Sequence, residues 1–153
     1  RSNIILRSTN TDHVQEYDIG RNRSQSTTPR PHTHSGLSVN EYGGLIFVGG
    51  GEYQSPQIVA AYRAFEVFDP ATGSWAELPS MPVPRHGFQG SVIGGDLYYI
   101  GGDIQSDFEG YFVPTPQVDV YHFPACEGTG RALVLPAGAC RGTGTQYPPR
   151  PAS

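Results

Sequence analysis

The sequence repeats one pattern of short apolar runs and turns at a spacing of about fifty residues. The glycine pair Gly49-Gly50 recurs 52 residues later as Gly101-Gly102, each time at the end of an apolar run. Asp18, Asp69 and His122 mark a second phrase, which recurs at spacings of 51 and 53 residues. A fixed period of this length restricts the fold to architectures in which one supersecondary unit is used repeatedly.

One complete unit runs from 35 to 78 and is predicted to contain four short strands. Its β-branched and aromatic runs are separated by Gly, Pro, Asn and Asp, which is typical of strands and their turns. The segments 41–44 (EYGG) and 70–73 (PATG) predict tight turns, whereas Gly51 to Ala64 is predicted to be a longer loop. The four predicted strands are Ser35–Asn40, Leu45–Val48, Phe65–Asp69 and Ser74–Leu78.

These residues resemble kelch repeats, the units of one class of β-propeller. The resemblance is carried by the two glycine pairs, by the phrase VFDPATGSW with Trp75, and by MPVPRHG from Met81 to Gly87. It covers about Val14 to Phe123. It implies an all-β fold of kelch-type propeller blades, each with four antiparallel strands.

The chain is too short to close such a ring, because propellers have typically four to eight blades. We therefore expect an incomplete ring, completed by a longer chain, by self-assembly or by another subunit, and the beginning in mid-blade favours a fragment. The predicted division is a partial blade with outer strands at 1–34, a complete blade at 35–78, a partial blade at 86–123, and a Gly-, Pro- and Ala-rich tail at 124–153 in which 131–136 supplies a fourth strand.

Composition excludes some classes of partner. The formal net charge of −4 argues against non-specific nucleic-acid binding, which needs a basic face. No apolar run approaches the roughly 20 residues that cross a membrane. A disulfide between Cys126 and Cys140 would fit an oxidising, secreted or extracellular setting, and two free thiols fit the sequence equally.

The repeated residues are predicted to serve the scaffold. Glycine pairs suit positions where the backbone turns and neighbours approach closely. The aromatic residues Phe68, Trp75 and Tyr121 are expected to fill the space between blades. Arg30 and Arg85, each before a first strand, are expected to reach backbone carbonyls or a carboxylate.

Recognition is predicted at one end of the blades, where the second-to-third and fourth-to-first connections lie together. Loops on a rigid scaffold commonly carry binding sites. The expected function is a binding module that presents this face to a protein or carbohydrate partner, with no cofactor. The candidate binding residues are Arg30, Glu52, Tyr53, Arg85, Asp103, Asp107 and Phe108.

An enzyme is the alternative interpretation. The copper-radical oxidases similar to galactose oxidase carry a Tyr-His pair before a first strand, but Thr33 precedes His34 here. His32, His34 and His86 are the candidate copper or zinc ligands if they converge near the central channel. Other kelch-type propellers act on sialic-acid sugars, for which Arg30, Arg85 and Glu52 would be the candidates.

Overall fold

The computed structural model describes residues 10–55, 57–106 and 112–123. The predictions for Asp107 and Phe108, for Cys126 and Cys140, and for the strand at 131–136 lie outside these residues. Within them the chain forms only strands and turns, and none of it forms a helix long and apolar enough to cross a membrane. The strands are β1 (Gln15–Asp18), β2 (Arg23–Ser26), β3 (Ser38–Tyr42), β4 (Leu45–Gly49), β5 (Glu52–Gln54), β6 (Val59–Ala61), β7 (Phe65–Asp69), β8 (Ser74–Glu77), β9 (Gln89–Ile93), β10 (Asp96–Ile100) and β11 (Val118–His122).

The central sheet has four antiparallel strands in the order β3-β4-β7-β8, as the repeat predicts. The turn between β3 and β4 consists of Gly43 and Gly44, with φ values of 62° and 81°. Two successive positive φ values define the two-residue hairpin turn that matches the twist of antiparallel strands. Tyr42 therefore pairs directly with Leu45, which sets the register of the whole hairpin.

A second sheet, in the order β11-β10-β9, packs face to face on the central sheet. Aromatic rings fill the space between them: Phe65 lies 4.3 Å from Tyr121 and 5.8 Å from Tyr99, measured between ring centroids. The shared core also contains Leu45, Phe47, Val67, Met81, Phe88 and Leu97, all buried. Of the three aromatic residues predicted to fill the space between blades, Tyr121 lies in this packing, whereas Phe68 and Trp75 lie on the other face of the central sheet.

The connection after β2 contacts the opposite face of the central sheet through Thr28. Trp75 Nε1 donates to the carbonyl of Thr28 at 3.1 Å, and Thr28 Oγ1 donates to the carbonyl of Gly73 at 2.6 Å. Phe68 packs against Trp75 with a centroid distance of 4.9 Å. These contacts tie the connection after β2 to the β7–β8 hairpin.

The ring is incomplete in the part of the chain that the structure describes. The outer face of the β9–β11 sheet exposes Ile93, Ile100 and Val118 to solvent. By register, Val118 and Ile100 correspond to Phe65 and Gly49 of the central sheet, whose face is covered by β9–β11. The exposed face of the β9–β11 sheet is thus equivalent to the face of the central sheet that packs against the next blade.

One segment differs from its prediction. The stretch from Gly51 to Ala64, expected to be a loop, contains the hairpin of β5 and β6, in which Tyr53 pairs with Ala60. Ser55 and Ile58 close this hairpin with hydrogen bonds between their backbone groups. Strand-forming residues such as Tyr53 and Val59 favour pairing, but their run is too short to be recognised as a strand in the sequence.

Candidate functional site

The connections between second and third strands lie at the same end as those between fourth and first strands. Ser35 forms a β-bridge with Glu52, and His86 forms the corresponding bridge with Asp103. This end of the molecule, called here the loop end, comprises residues 27–37, 50–55, 57–64, 79–88, 101–106 and 112–117.

Arg85 is a fully buried cation at the loop end. Its Nη2 donates to the carboxylate of Asp119. Its Nη1 donates to the carbonyls of Gly101 and Gln117, each at 3.1 Å. Since the side chain has no exposed surface, it holds the start of β11 rather than offering a contact to a partner. We call the Arg85–Asp119 pair and its carbonyls the second junction.

The residue that corresponds to Arg85 in the preceding repeat is His34. Ser35 and His86 occupy equivalent bridges, and the glycines that follow them, Gly36 and Gly87, have nearly equal φ values of 62° and 61°. The residues before the bridges are therefore equivalent. In the sequence, His34 and His86 each precede a first strand and are 52 residues apart, like the two glycine pairs. The sequence therefore suggests that His34 is equivalent to His86, which is wrong by one position.

Glu66 corresponds to Asp119, because Phe65 pairs with Gly49 as Val118 pairs with Ile100. We call the surroundings of His34 and Glu66 the first junction. His32 Nδ1 lies 2.5 Å from Glu66 Oε1, within hydrogen-bonding distance. His34 Nε2 lies 3.9 Å from Glu66 Oε2, which is too long for a hydrogen bond.

Glu66 stays ionised although it is buried. Burial raises the pKa of its carboxyl group, but the neighbouring His34 and His32 lower it by more, so that the pKa lies below the ordinary value. Arg30 is half-buried beside this cluster, and its Nη2 donates to the carbonyls of Thr11 at 2.8 Å and His34 at 2.9 Å. Arg30 thereby makes the backbone contacts that the sequence predicts.

The structure does not gather the three candidate metal ligands into one cluster. His32 and His34 share Glu66, whereas His86 Nδ1 lies 3.7 Å from Glu52 Oε2 and its Nε2 lies 2.9 Å from the carbonyl of Gln105. Among the described residues, no group of three His, Cys, Asp or Glu side chains is arranged to hold a metal ion.

Glu52 links the two long connections of the loop end. Ser106 Oγ donates to Glu52 Oε2 at 2.6 Å, and Gln54 Nε2 donates to the same oxygen at 2.9 Å. Asp103, also a candidate, is buried, and its Oδ1 accepts the backbone N–H of Val113 at 2.9 Å. Glu52 and Asp103 therefore position the loops, and only part of Glu52 is open to solvent.

Apolar side chains project into solvent from these same loops. Ile58, at the tip of the β5–β6 hairpin, is 58% exposed, and Phe112 is 76% exposed. Val113 beside it is also exposed, whereas Tyr53 is half-buried. Ile58 and Phe112 were missed in the sequence, although large apolar residues in a loop are a usable signal of a contact surface.

A cavity of about 270 Å³ lies at the loop end next to the first junction. Side chains of both charges surround it, and Glu66 connects it to the buried cluster. It is lined by His32, Tyr62, Arg63, Ala64, Phe65, Glu66, Glu77, Leu78 and Ser80.

Comparisons with known proteins agree with this architecture. No protein-family model matches the chain. Kelch-like protein terF of Aspergillus terreus is 33% identical over 107 residues, which cover 70% of this chain and 22% of the relative. An influenza virus NS1A-binding protein homolog of Mus musculus is 36% identical over 75 residues, which cover 49% of this chain and 11% of the relative. The chain belongs to the kelch-repeat family.

A solved structure supports the kelch fold independently. The structure of YjhT matches with a TM-score of 0.51 at 19% identity, covering 69% of this chain and 37% of YjhT. At that identity the likeness concerns the fold alone, which is a kelch-type propeller. The kelch repeats of this chain span about a fifth of terF's length.

Proposed function

We propose that this chain is part of a kelch propeller that binds another protein through its loop end. The observation that carries the proposal is the exposure of Ile58 and Phe112 on two loops that Glu52, Gln54 and Ser106 fasten together. Large exposed apolar side chains on a fixed scaffold are typical of protein contact surfaces, because they bury area at little entropic cost.

The kelch relatives support a protein partner. One of them is named as a homolog of a protein that binds the influenza virus NS1A protein. Binding by a kelch relative makes a binding role here the first hypothesis, although a shared fold does not transfer a particular partner. The partner of this chain is therefore to be sought experimentally.

The test is capture of partners by the tagged protein from an extract of its own source. The double variant Ile58→Asp/Phe112→Asp should lose the captured protein, because two charges would be buried at the contact. The matched control is Ile19→Asp, which changes another exposed large apolar residue, in the β1–β2 turn at the other end of the blades.

Equal capture by the double variant and the unchanged protein would refute the proposal. A glycan array with the same three proteins examines the carbohydrate alternative, and selective retention of a sugar would replace the protein partner. Circular dichroism of all three proteins checks that the substitutions leave the fold intact.

A further inference from the structure

The first and second junctions differ in how their buried polar atoms are paired. Arg85 at the second junction leaves one buried atom, Nε, without a hydrogen-bond partner. The imidazole of His34 is too short to replace that guanidinium at the first junction. Four buried atoms there lack a hydrogen-bond partner in the structure: Arg30 Nη1, His34 Nδ1, His34 Nε2 and Glu66 Oε2.

Unpaired buried atoms indicate hydrogen-bonding capacity that the fold does not use. Each such atom has lost its hydrogen bonds to water without gaining a bond within the protein, which is unfavourable. Glu66 is only 1% exposed, yet one of its oxygens has no donor. A ligand that brings a donor to Glu66 would therefore gain a strong, charge-assisted hydrogen bond.

Glu66 is one of the residues that line the open cavity beside the first junction. The cavity volume of about 270 Å³ is several times that of one water molecule, about 30 Å³ in the liquid. The space therefore accommodates a long side chain as well as solvent. Tyr62, whose ring centroid lies 5.1 Å from that of His34, contributes an aromatic wall.

Charge favours a cation in this cavity. The lining contains two carboxylates, Glu66 and Glu77, against one guanidinium, Arg63, whose Nε donates to the carbonyl of Met81 at 2.5 Å. A second guanidinium, Arg30, lies beside Glu66 outside the lining and donates to backbone carbonyls. Glu66 is ionised because the adjacent histidines hold its pKa below the ordinary value, against the opposite effect of burial. An aromatic wall such as Tyr62 adds attraction for a cation.

We propose that this cavity receives a lysine or arginine side chain of the protein partner, with Glu66 and Glu77 as its acceptors. The inference rests on the proposed function and adds the chemistry of one contact to it. The apolar surface of Ile58 and Phe112 would bind the body of the partner, while the cavity would select a basic residue.

The experiment titrates the full chain with Nα-acetyl-lysine amide and with Nα-acetyl-norleucine amide, which is matched in length but lacks the charge. Chemical shifts of the backbone amides of residues 62–66 and 77–80 are followed by NMR. The lysine probe should shift them saturably, and the norleucine probe should not. Glu77→Gln should raise the Kd of the lysine probe about threefold, as expected for an exposed charge pair.

Glu16→Gln is the matched control, since Glu16 is an exposed carboxylate on β1, outside the cavity, and it should leave the Kd unchanged. Equal shifts with both probes, or the same Kd in Glu77→Gln, would overturn the proposal. Preference for Nα-acetyl-glutamate amide would overturn it as well. Glu66→Gln, where its circular dichroism matches the unchanged protein, should abolish binding of the lysine probe.

The two proposals fail separately. If capture depends on Ile58 and Phe112 but the lysine probe does not bind, only the cavity inference is wrong. If the probe binds as described and capture is unaffected by the double variant, the cavity is a cation site and the apolar contact surface is wrong.

Discussion

Gly49 lies directly against the ring of Tyr99 in the neighbouring sheet: a Cβ built on Gly49 would be 2.6 Å from the ring carbons and the hydroxyl oxygen. Tyr99 has no exposed surface and is held in place by Phe65, Phe88 and Tyr121. Glycine is thus required at position 49 by the close approach of two sheets.

Gly49→Ala should destabilise the protein by about 1–3 kcal/mol, the range for overpacking a tight core. Tyr99 cannot move aside without displacing other buried rings. Urea unfolding followed by tryptophan fluorescence measures the change. The control Gly20→Ala, in the exposed β1–β2 turn, should change stability by less than about 0.5 kcal/mol. Similar losses in both variants would contradict the packing explanation.

Arg85→Ala should be the more damaging substitution, with a loss of about 3–5 kcal/mol, because it leaves the buried carboxylate of Asp119 without its cation. The double variant Arg85→Met/Asp119→Leu should recover part of that loss, since it removes both charges together. A thermal denaturation series of the three proteins gives the comparison. If the double variant is as unstable as Arg85→Ala, the contacts of Arg85 to the Gly101 and Gln117 carbonyls dominate instead.

The depressed pKa of Glu66 predicts a loss of stability in acid. Burial raises this pKa, but His34 and His32 lower it by more than burial raises it. The folded protein therefore binds the proton less tightly than the unfolded chain does. The stabilisation is complete above the unfolded pKa, about 4.3, and is lost as the pH falls through the lower folded value. Urea unfolding of the wild type and of Glu66→Gln between pH 7 and pH 3 should give converging stabilities in acid. A parallel decline in both would show that other carboxylates are responsible.

Tyr99→Phe should leave stability unchanged or increase it by about 1 kcal/mol, because the buried hydroxyl of Tyr99 has no hydrogen-bond partner in the structure. Burial also raises the pKa of Tyr99, and the nearby Tyr121 raises it further. Because the folded pKa is raised, the unfolded chain releases this proton first, so the stability of the protein falls as the pH rises above about 10. Differential scanning calorimetry at neutral pH is the direct measurement, and a lower melting temperature in Tyr99→Phe would refute the prediction.

The fold was largely predictable because its signals are local. Tyr42 and Leu45 flank a pair of glycines, and that pattern by itself specifies a two-residue hairpin turn. The β5–β6 hairpin was missed, since three-residue strands have too few residues for a recognisable alternation. In the structure its first strand is also joined to a distant part of the chain by the bridge from Ser35 to Glu52.

The candidate site was predictable only in part. Glu52, Tyr53 and Asp103 were correctly assigned to the loop end, but their environments differ: Asp103 is buried and holds a loop, and Tyr53 is half-buried in a hairpin. The sequence also named Arg30 and Arg85 as a pair. The equivalence of His34 with Arg85 follows instead from the β-bridges of Ser35 and His86. Sequence spacing does not reveal it, because Arg85 contacts residues that are distant in the chain: Gly101 is 16 positions away and Asp119 is 34.

The sequence alone determined the repeat, the antiparallel four-strand unit, its turns and its kelch resemblance, since periodicity and turn chemistry act between residues close in the chain. The tertiary structure alone decided which side chains are buried together. Glu66 lies 32 positions after His34, and only the pairing of β4 with β7 brings it to the first junction. There the neighbouring His34 and His32 keep Glu66 ionised against the effect of burial, and its second oxygen has no hydrogen-bond partner. Both properties arise from the three-dimensional surroundings of the residue.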